Sequence, residues 1–205
     1  MVGYNMSQNL LNELYRIVGE DNVRLEEPMS IHTTFRIGGP AQYFVMPMDT
    51  EELSQVVVLC KAEKVPFFML GHGSNILVSD RGISGVVIQL YKNYSRYSVD
   101  GNIVRAQAGV MLNKLGKAVC DAGLTGFEFA AGIPGTLGGA VMMNAGAYGG
   151  EMKDVLQSVK VLSGDEIKSI PAQDMHLSYR HSRAMDEDMI ILGAYLKLEI
   201  GRAHV

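Results

Sequence analysis

Apolar positions recur along this chain in two rhythms, and each rhythm predicts elements. Leu11, Leu14, Tyr15 and Val18 fall at helical spacing, with Gly19 placed to end the helix. Leu53, Val56, Val57 and Cys60 form a second helical face, which Asp49 or Thr50 can cap. Leu112, Leu115 and Val119 form a third, closed by Gly123. Short apolar runs between turn residues predict strands over residues 41–46, 67–70, 86–90, 155–162, 166–170 and 189–198. Tyr97-Ser98-Val99 and Ile103-Val104-Arg105 flank Asp100-Gly101-Asn102, a hairpin signal, and Ser163-Gly164-Asp165 joins two of the later strands.

The order of these elements divides the chain. Strand, helix, strand and glycine loop predict a small α/β unit ending near Leu90, and the hairpin opens a second unit. The chain shows no internal repeat, low-complexity tract or flexible linker, so two closely packed subdomains are expected in an α+β fold. The expected division is an N-terminal helix over residues 1–24, a first subdomain over 25–92, a second over 93–199 and a tail over 200–205.

Composition narrows the function classes. With 205 residues, 47% apolar and 20% charged, the chain has the make-up of a soluble globular protein. No apolar run approaches the roughly 18 residues a membrane helix needs, and the first residues lack the basic-then-apolar pattern of a secretory leader. A net charge of −4 without a Lys/Arg cluster argues against a nucleic-acid surface. The five histidines and two cysteines have no ligand spacing, so no metal site is expected. Cys60 and Cys120 both sit in apolar helical patterns, and buried free thiols in a reducing cytoplasm are expected.

The 23 glycines carry the functional signal, because most of them cluster. Gly71-His72-Gly73-Ser74-Asn75-Ile76 follows a buried strand directly, where outward N–H groups can form an anion-binding nest. It fails the Rossmann fingerprint at Ile76 and lacks the Walker Gly-Lys-Ser/Thr, so alone it reads equally as a tight turn. The segment Gly132-Ile133-Pro134-Gly135-Thr136-Leu137-Gly138-Gly139-Ala140, followed by residues 141–150, is small or apolar and holds no Lys or Arg. A phosphate there would be held by backbone N–H groups, at a helix start near Gly138, and a flat ring could pack on the main chain. Purely structural use of so many glycines is costly, each losing about 0.5–1 kcal/mol relative to Ala in regular structure. Thr34-Phe35-Arg36-Ile37-Gly38-Gly39-Pro40-Ala41 reads as a bend that starts a strand, with Arg36 able to face a diphosphate.

Five stretches in register resemble the UDP-N-acetylenolpyruvoylglucosamine reductase family. They are residues 32–41 (His-Thr-Thr-Phe-Arg-Ile-Gly-Gly-Pro-Ala), 70–75 (Leu-Gly-His-Gly-Ser-Asn), 132–140, 144–149 (Asn-Ala-Gly-Ala-Tyr-Gly) and 178–182 (Ser-Tyr-Arg-His-Ser). The resemblance runs from about Glu27 to Glu199. It implies FAD in the two-subdomain fold of the vanillyl-alcohol oxidase (PCMH-type) superfamily, with NADPH as hydride donor. It implies a cytoplasmic enzyme of peptidoglycan precursor synthesis, which reduces UDP-N-acetylglucosamine enolpyruvate to UDP-N-acetylmuramate, with no obligate protein, nucleic-acid or membrane partner. Carried over by position, the cofactor-binding residues are Gly71, Gly73, Ser74, Asn75, Gly132, Ile133, Pro134, Gly135, Gly138, Gly139, Ala140 and Gly146. Arg180 matches the catalytic cation and Tyr179 a substrate-contacting position. Hydride addition to the enolpyruvyl group develops negative charge beside a carboxylate, which a permanently charged guanidinium can grip through two parallel bonds.

The family carries a third, substrate-binding domain after the position of Glu199, which supplies a proton-donating serine and a glutamate. No general acid is therefore assigned to this chain, Ser182 included, and the chain alone is expected not to turn over. Ile200-Gly201-Arg202-Ala203-His204-Val205 is also the translation of a common sequencing adapter, so these residues are expected to be read-through from a longer gene. Two other readings remain: another flavin oxidase or dehydrogenase of the superfamily, with His72 as the candidate for covalent attachment, or a non-catalytic flavin-binding module.

Overall fold

A computed structural model gives the structure of residues 2–201, with side chains described from Gln8 onward. Met1 of the expected N-terminal helix and residues 202–205 of the expected tail lie outside the described residues. The chain divides into two units, Met1–Asn93 and Tyr94–Val205.

The first unit begins with helix α1 (Val2–Val18), ended at Gly19 by a φ of 81° and an N–H bond to the Tyr15 carbonyl of 2.9 Å. Among its described side chains Leu10, Leu14 and Val18 are buried; Leu11 and Tyr15, expected on that face, lie at its margins. Strands β1 (Val23–Pro28) and β2 (Pro40–Val45) pair antiparallel. Helix α2 (Thr50–Ala62) then crosses to β3 (Phe67–Leu70), and β4 (Ile83–Gln89) inserts between β2 and β3, parallel to both. Asp49 is the α2 cap, its carboxylate accepting the Glu52 N–H at 2.9 Å. The whole expected α2 face is fully buried, and so are Val86, Val87 and Ile88 of β4. An unbroken apolar run suits a parallel strand buried on both faces. Strand β1 has no counterpart among the expected elements, because its residues do not alternate: Leu25 is exposed and Glu27 is buried. It is an edge strand ending in proline, a position where the missing N–H is harmless.

The second unit holds a five-stranded antiparallel sheet in the order β11 (Glu166–Pro171), β10 (Leu156–Ser163), β12 (Ile190–Lys197), β6 (Ile103–Gln107), β5 (Tyr97–Asp100). Strands β5 (Tyr97–Asp100) and β6 (Ile103–Gln107) form the expected hairpin, with Gly101 at a φ of 57°. Helix α3 (Leu112–Asp121) buries Leu112, Leu115 and Val119. The segment after it holds a run of short elements. It comprises β7 (Leu124–Thr125), α4 (Glu128–Ala131), α5 (Leu137–Met142), the small β8–β9 pair (Gly146–Ala147, Gly150–Glu151) and α6 (Met152–Val155). Then follow β10 (Leu156–Ser163), β11 (Glu166–Pro171), α7 (Arg183–Asp186), β12 (Ile190–Lys197) and β13 (Glu199–Ile200), which pairs back to β7. Helix α5 lies against β12 and β6, which places the glycine-rich segment on the sheet.

The two thiols differ, contrary to the expectation that both are buried. Cys60 is fully buried on α2, and burial pushes its pKa up to about 11. Cys120 is exposed, because it falls one residue past Val119 and off the buried stripe of α3. At a pKa of about 11 instead of 9.0, Cys60 holds roughly a hundredth of the usual thiolate, on top of steric protection. Brief alkylation of the native protein followed by peptide mass spectrometry is expected to label Cys120 and spare Cys60. Comparable labelling of both would mean that α2 does not pack as described.

Candidate functional site

The first glycine loop leaves the end of β3. Leu70 is tied to the next strand by the Leu90 N–H (2.9 Å), and the loop then turns through Gly71, His72, Gly73, Ser74 and Asn75. Gly73 has a φ of +73°, and a Cβ there would lie 1.9 Å from the His32 carbonyl oxygen. Its own carbonyl accepts the Thr34 N–H at 3.1 Å. Glycine is therefore required at Gly73 by the backbone behind it. The segment around Arg36 is the partner of this loop region: Gly38 and Gly39 press against Val78 and the Asp80 backbone, and Gly39 donates to the Ser79 carbonyl at 2.9 Å. Its glycines thus do more than bend the chain into β2; they let two main chains touch. Arg36 itself is exposed, at a φ of 56°.

Beneath this loop His32 and Glu27 meet, with Nε2 of the ring 2.8 Å from the carboxylate, which also accepts from Arg24 at 2.8 Å. Burial raises the Glu27 pKa, but the hydrogen bonds from His32 and Arg24 outweigh it and hold the carboxyl below its ordinary 4.5. The stability this contributes is complete above pH 4.5 and is lost as the pH falls through the lower folded value. Among the described residues, the buried side-chain atoms left without a hydrogen-bond partner are Ser54 Oγ, His72 Nδ1 and Gln89 Oε1. Two of the three belong to this loop or to the strand beside it.

In the second unit the glycine-rich segment separates into two kinds of glycine. A Cβ on Gly138 would lie 2.7 Å from the Ala108 Cβ, and one on Gly146 would lie 2.6 Å from the Gly150 carbonyl. These two are glycine because the protein packs against them. Gly132 and Gly139 are different: a Cβ on Gly132 meets nothing within 4 Å, and one on Gly139 meets only Thr136 Oγ1 at 3.8 Å. Neither has a positive φ, so packing and backbone conformation leave their identity unexplained.

The start of α5 corrects one expectation. The Leu137 and Gly138 N–H groups are both committed, to the Val110 and Ala108 carbonyls at 2.8 Å each, and α5 has only six residues. A phosphate cannot take the Gly138 N–H without breaking the bond that seats α5 on the sheet. The Ile133 and Ala140 N–H groups likewise go to Ala130 (3.1 Å) and Thr136 (2.9 Å). Ile133, Gly138 and Ala140 therefore have no uncommitted N–H to offer a ligand, and Pro134 has no N–H at all.

Tyr179 and Arg180 occupy a tight turn closed by mutual bonds between Ser178 and His181, at 3.1 and 3.2 Å. Tyr179 is 90% exposed, and Arg180 is exposed at a φ of 54°. Arg180 has no hydrogen-bond or ion-pair partner among the described residues, whereas Arg183 is gripped by Glu187 at 2.6 and 3.1 Å. Of these two arginines, the one the motif singled out is the unpaired one. Ser182 is fully buried and its hydroxyl donates to the Met142 carbonyl at 2.8 Å, so it is spent on structure.

Asn144 and Tyr148 were not among the expected site residues. Asn144 is 4% exposed at a φ of 41°; its amide donates to Glu151 (2.7 Å) and to the Ser178 carbonyl (3.0 Å), and its oxygen accepts the Lys153 N–H (2.9 Å). With Ser182 it clamps the Arg180 turn to the end of α5. Tyr148 is 97% exposed in a left-handed conformation. Both lie inside a quoted motif, and a non-glycine residue between glycines was the available signal. An open depression of about 460 Å³ in the same unit, lined by Lys168, Asp174, Arg183 and Glu187 among others, contains none of the expected site residues. Of its charged side chains, Arg183 is paired with Glu187 and Lys168 with Glu166. Among the described residues no cluster of side chains is placed to hold a metal ion, and no helix is long and apolar enough to cross a membrane.

The clamp has a direct test. Asn144→Ala leaves the Glu151 carboxylate, the Ser178 carbonyl and the Lys153 N–H each short of a partner. Hydrogen exchange at the Ser178 and His181 amides is expected to accelerate while exchange in β10 and β12 is unchanged. Unaltered protection of the turn would show that Asn144 does not hold it.

Comparison with known proteins places these features. Residues 41–167 match the family described as FAD binding domain. The chain is 47% identical over 196 residues to the UDP-N-acetylenolpyruvoylglucosamine reductase of Alkaliphilus metalliredigens (strain QYMF), covering 95% of this chain and 64% of that protein. The solved structure of UDP-N-acetylenolpyruvylglucosamine reductase from Thermus caldophilus is similar at a TM-score of 0.75 and 33% identity, over 88% of this chain and 62% of that one. The 4-ethylphenol oxidase of Gulosibacter chungangensis matches at a TM-score of 0.72 and 17% identity, over 98% of this chain and 44% of that one, a likeness of fold alone. The chain spans a little under two thirds of the length of these reductases. It belongs to the FAD binding domain family, with the two-subdomain FAD-binding fold of the vanillyl-alcohol oxidase superfamily.

Proposed function

We propose that this chain is the FAD-holding part of a UDP-N-acetylenolpyruvoylglucosamine reductase. Gly71, Gly73, Ser74 and Asn75 are the cofactor-binding residues of the first unit, and Gly132, Ile133, Pro134, Gly135, Gly138, Gly139, Ala140 and Gly146 those of the second. The observation that carries the reading is the pair Gly132 and Gly139, which no neighbour among the described residues and no positive φ requires to be glycine. A flat ligand lying on the main chain supplies the reason, since a methyl group at either position would hold it off. The unpaired His72 Nδ1 in the first loop fits a polar ligand in the same way.

Bound FAD would supply hydride transfer from NADPH to the enolpyruvyl group of UDP-N-acetylglucosamine enolpyruvate; with a proton, for which this chain is assigned no donor, that would give UDP-N-acetylmuramate for peptidoglycan. This chain's part is to hold the flavin and to present a cation. Arg180, exposed and unpaired, grips the substrate carboxylate and stabilises the charge that develops beside it. Tyr179 contacts the substrate from the same turn. The activity is cytoplasmic and uses small-molecule partners only.

Titration of the purified chain with FAD, followed by quenching of flavin fluorescence, tests the proposal. Gly132→Ala and Gly139→Ala are expected to weaken binding about tenfold or more, a change of about 1.4 kcal/mol or greater. The apo form of Gly139→Ala is expected to be unchanged or more stable by about 0.5–1 kcal/mol, since the residue sits inside a helix. A folded wild-type chain that takes up no FAD would end the proposal.

A further inference from the structure

We propose that His32 is the positioning residue of the first glycine loop, so that flavin affinity is set by an imidazole that is not part of the loop. This rests on the proposed FAD site, and it adds a residue and a cause to it.

The ring is held on three sides. It stacks on the fully buried Phe44 with centroids 4.1 Å apart and planes 27° apart. Nε2 lies 2.8 Å from Glu27 Oε1, and Nδ1 lies 3.3 Å from Gln89 Nε2. A carboxylate can only accept and an amide nitrogen can only donate, so this network assigns the proton to Nε2 and leaves Nδ1 as acceptor. With 8% of its side chain exposed, His32 has little freedom to leave this arrangement.

The backbone of the same residue meets the loop. The His32 carbonyl is the atom that a side chain at Gly73 would strike, at 1.9 Å from the built Cβ. Two residues on, the Thr34 N–H donates to the Gly73 carbonyl at 3.1 Å. Thr33 between them is buried, and its hydroxyl is bonded to the Ile37 carbonyl at 3.0 Å. The loop therefore rests on residues 32–34, and the side chain that pins those residues is His32. Gln89 closes the circuit, because it lies in β4 opposite Leu70, the last residue before the loop. A shift of the ring moves the carbonyl beneath Gly73, and with it the main-chain surface offered to a flavin.

The full chain titrated with FAD tests this, alongside thermal unfolding of the apo protein and hydrogen exchange at Thr34. His32→Ala is expected to weaken FAD binding about tenfold or more and to speed Thr34 exchange. Glu27→Gln keeps an acceptor for Nε2–H and is expected to bind FAD within about threefold of wild type. Gln89→Met keeps volume and removes only the polar groups, so it serves where His32→Ala fails to fold; it is expected to weaken binding several-fold with little change in melting temperature. Wild-type FAD affinity in folded His32→Ala, or in Gln89→Met, would overturn the inference. Loss of the fold in both would also overturn it, since the network would then hold the core instead of the loop. Absence of FAD binding by the wild-type chain is a different result: it removes the proposed function itself.

Discussion

A loop that offers its main chain to a ligand has to be held from behind by something that leaves its front free. In the first unit that support is another stretch of main chain, the His32 carbonyl against the Cα of Gly73. Contact this close leaves no room for a side chain, so the glycine and its partner segment depend on one another. The second unit uses the same device at the seat of α5, where Gly138 faces Ala108 and donates to its carbonyl at 2.8 Å. In both units the buried parallel or antiparallel strands supply the rigid base, and the glycines are where a second layer of backbone settles on it.

This separates two meanings of glycine that look alike in a sequence. Gly73, Gly138 and Gly146 are demanded by neighbouring protein atoms, whereas Gly132 and Gly139 are not. The run over residues 132–140 was legible as an unusual cluster, but not which of its members serve packing. That distinction depends on the Ala108 Cβ and the Thr136 hydroxyl, which are neighbours only after folding. For the same reason the sequence did not show that the Leu137 and Gly138 N–H groups, at the helix start expected to meet an anion, are given to the turn after β6.

Elements with a strong internal pattern were readable. The α2 face and its Asp49 cap, the hairpin at Gly101 and the parallel core strand β4 all follow from local spacing and turn chemistry. Strand β1 was not readable, since its one buried polar residue, Glu27, is there for His32 and Arg24, which no periodicity announces. Cys120 was misjudged because a stripe of three residues does not fix the margin of a helical face to within one position. In the site, Tyr179 and Arg180 came from the motif alone, and Asn144 escaped notice because its role lies in contacts 7 to 34 residues away.

Asn144, Tyr148 and Arg180 are all non-glycine residues in the left-handed region, at φ values of 41°, 52° and 54°. Each such residue costs of order 1–3 kcal/mol unless its surroundings over-determine it. For Asn144 the compensation is visible in three hydrogen bonds, and asparagine tolerates this conformation better than most. For Tyr148 and Arg180 no side-chain bond within the described residues offsets the cost, and both side chains stand in solvent. The Asn144 and Ser182 clamps carry that cost for Arg180 by fixing the turn from both ends, at Ser178 and at Ser182. The turn thus holds the Arg180 guanidinium in solvent without a partner among the described residues, the state that the proposed grip on a carboxylate requires.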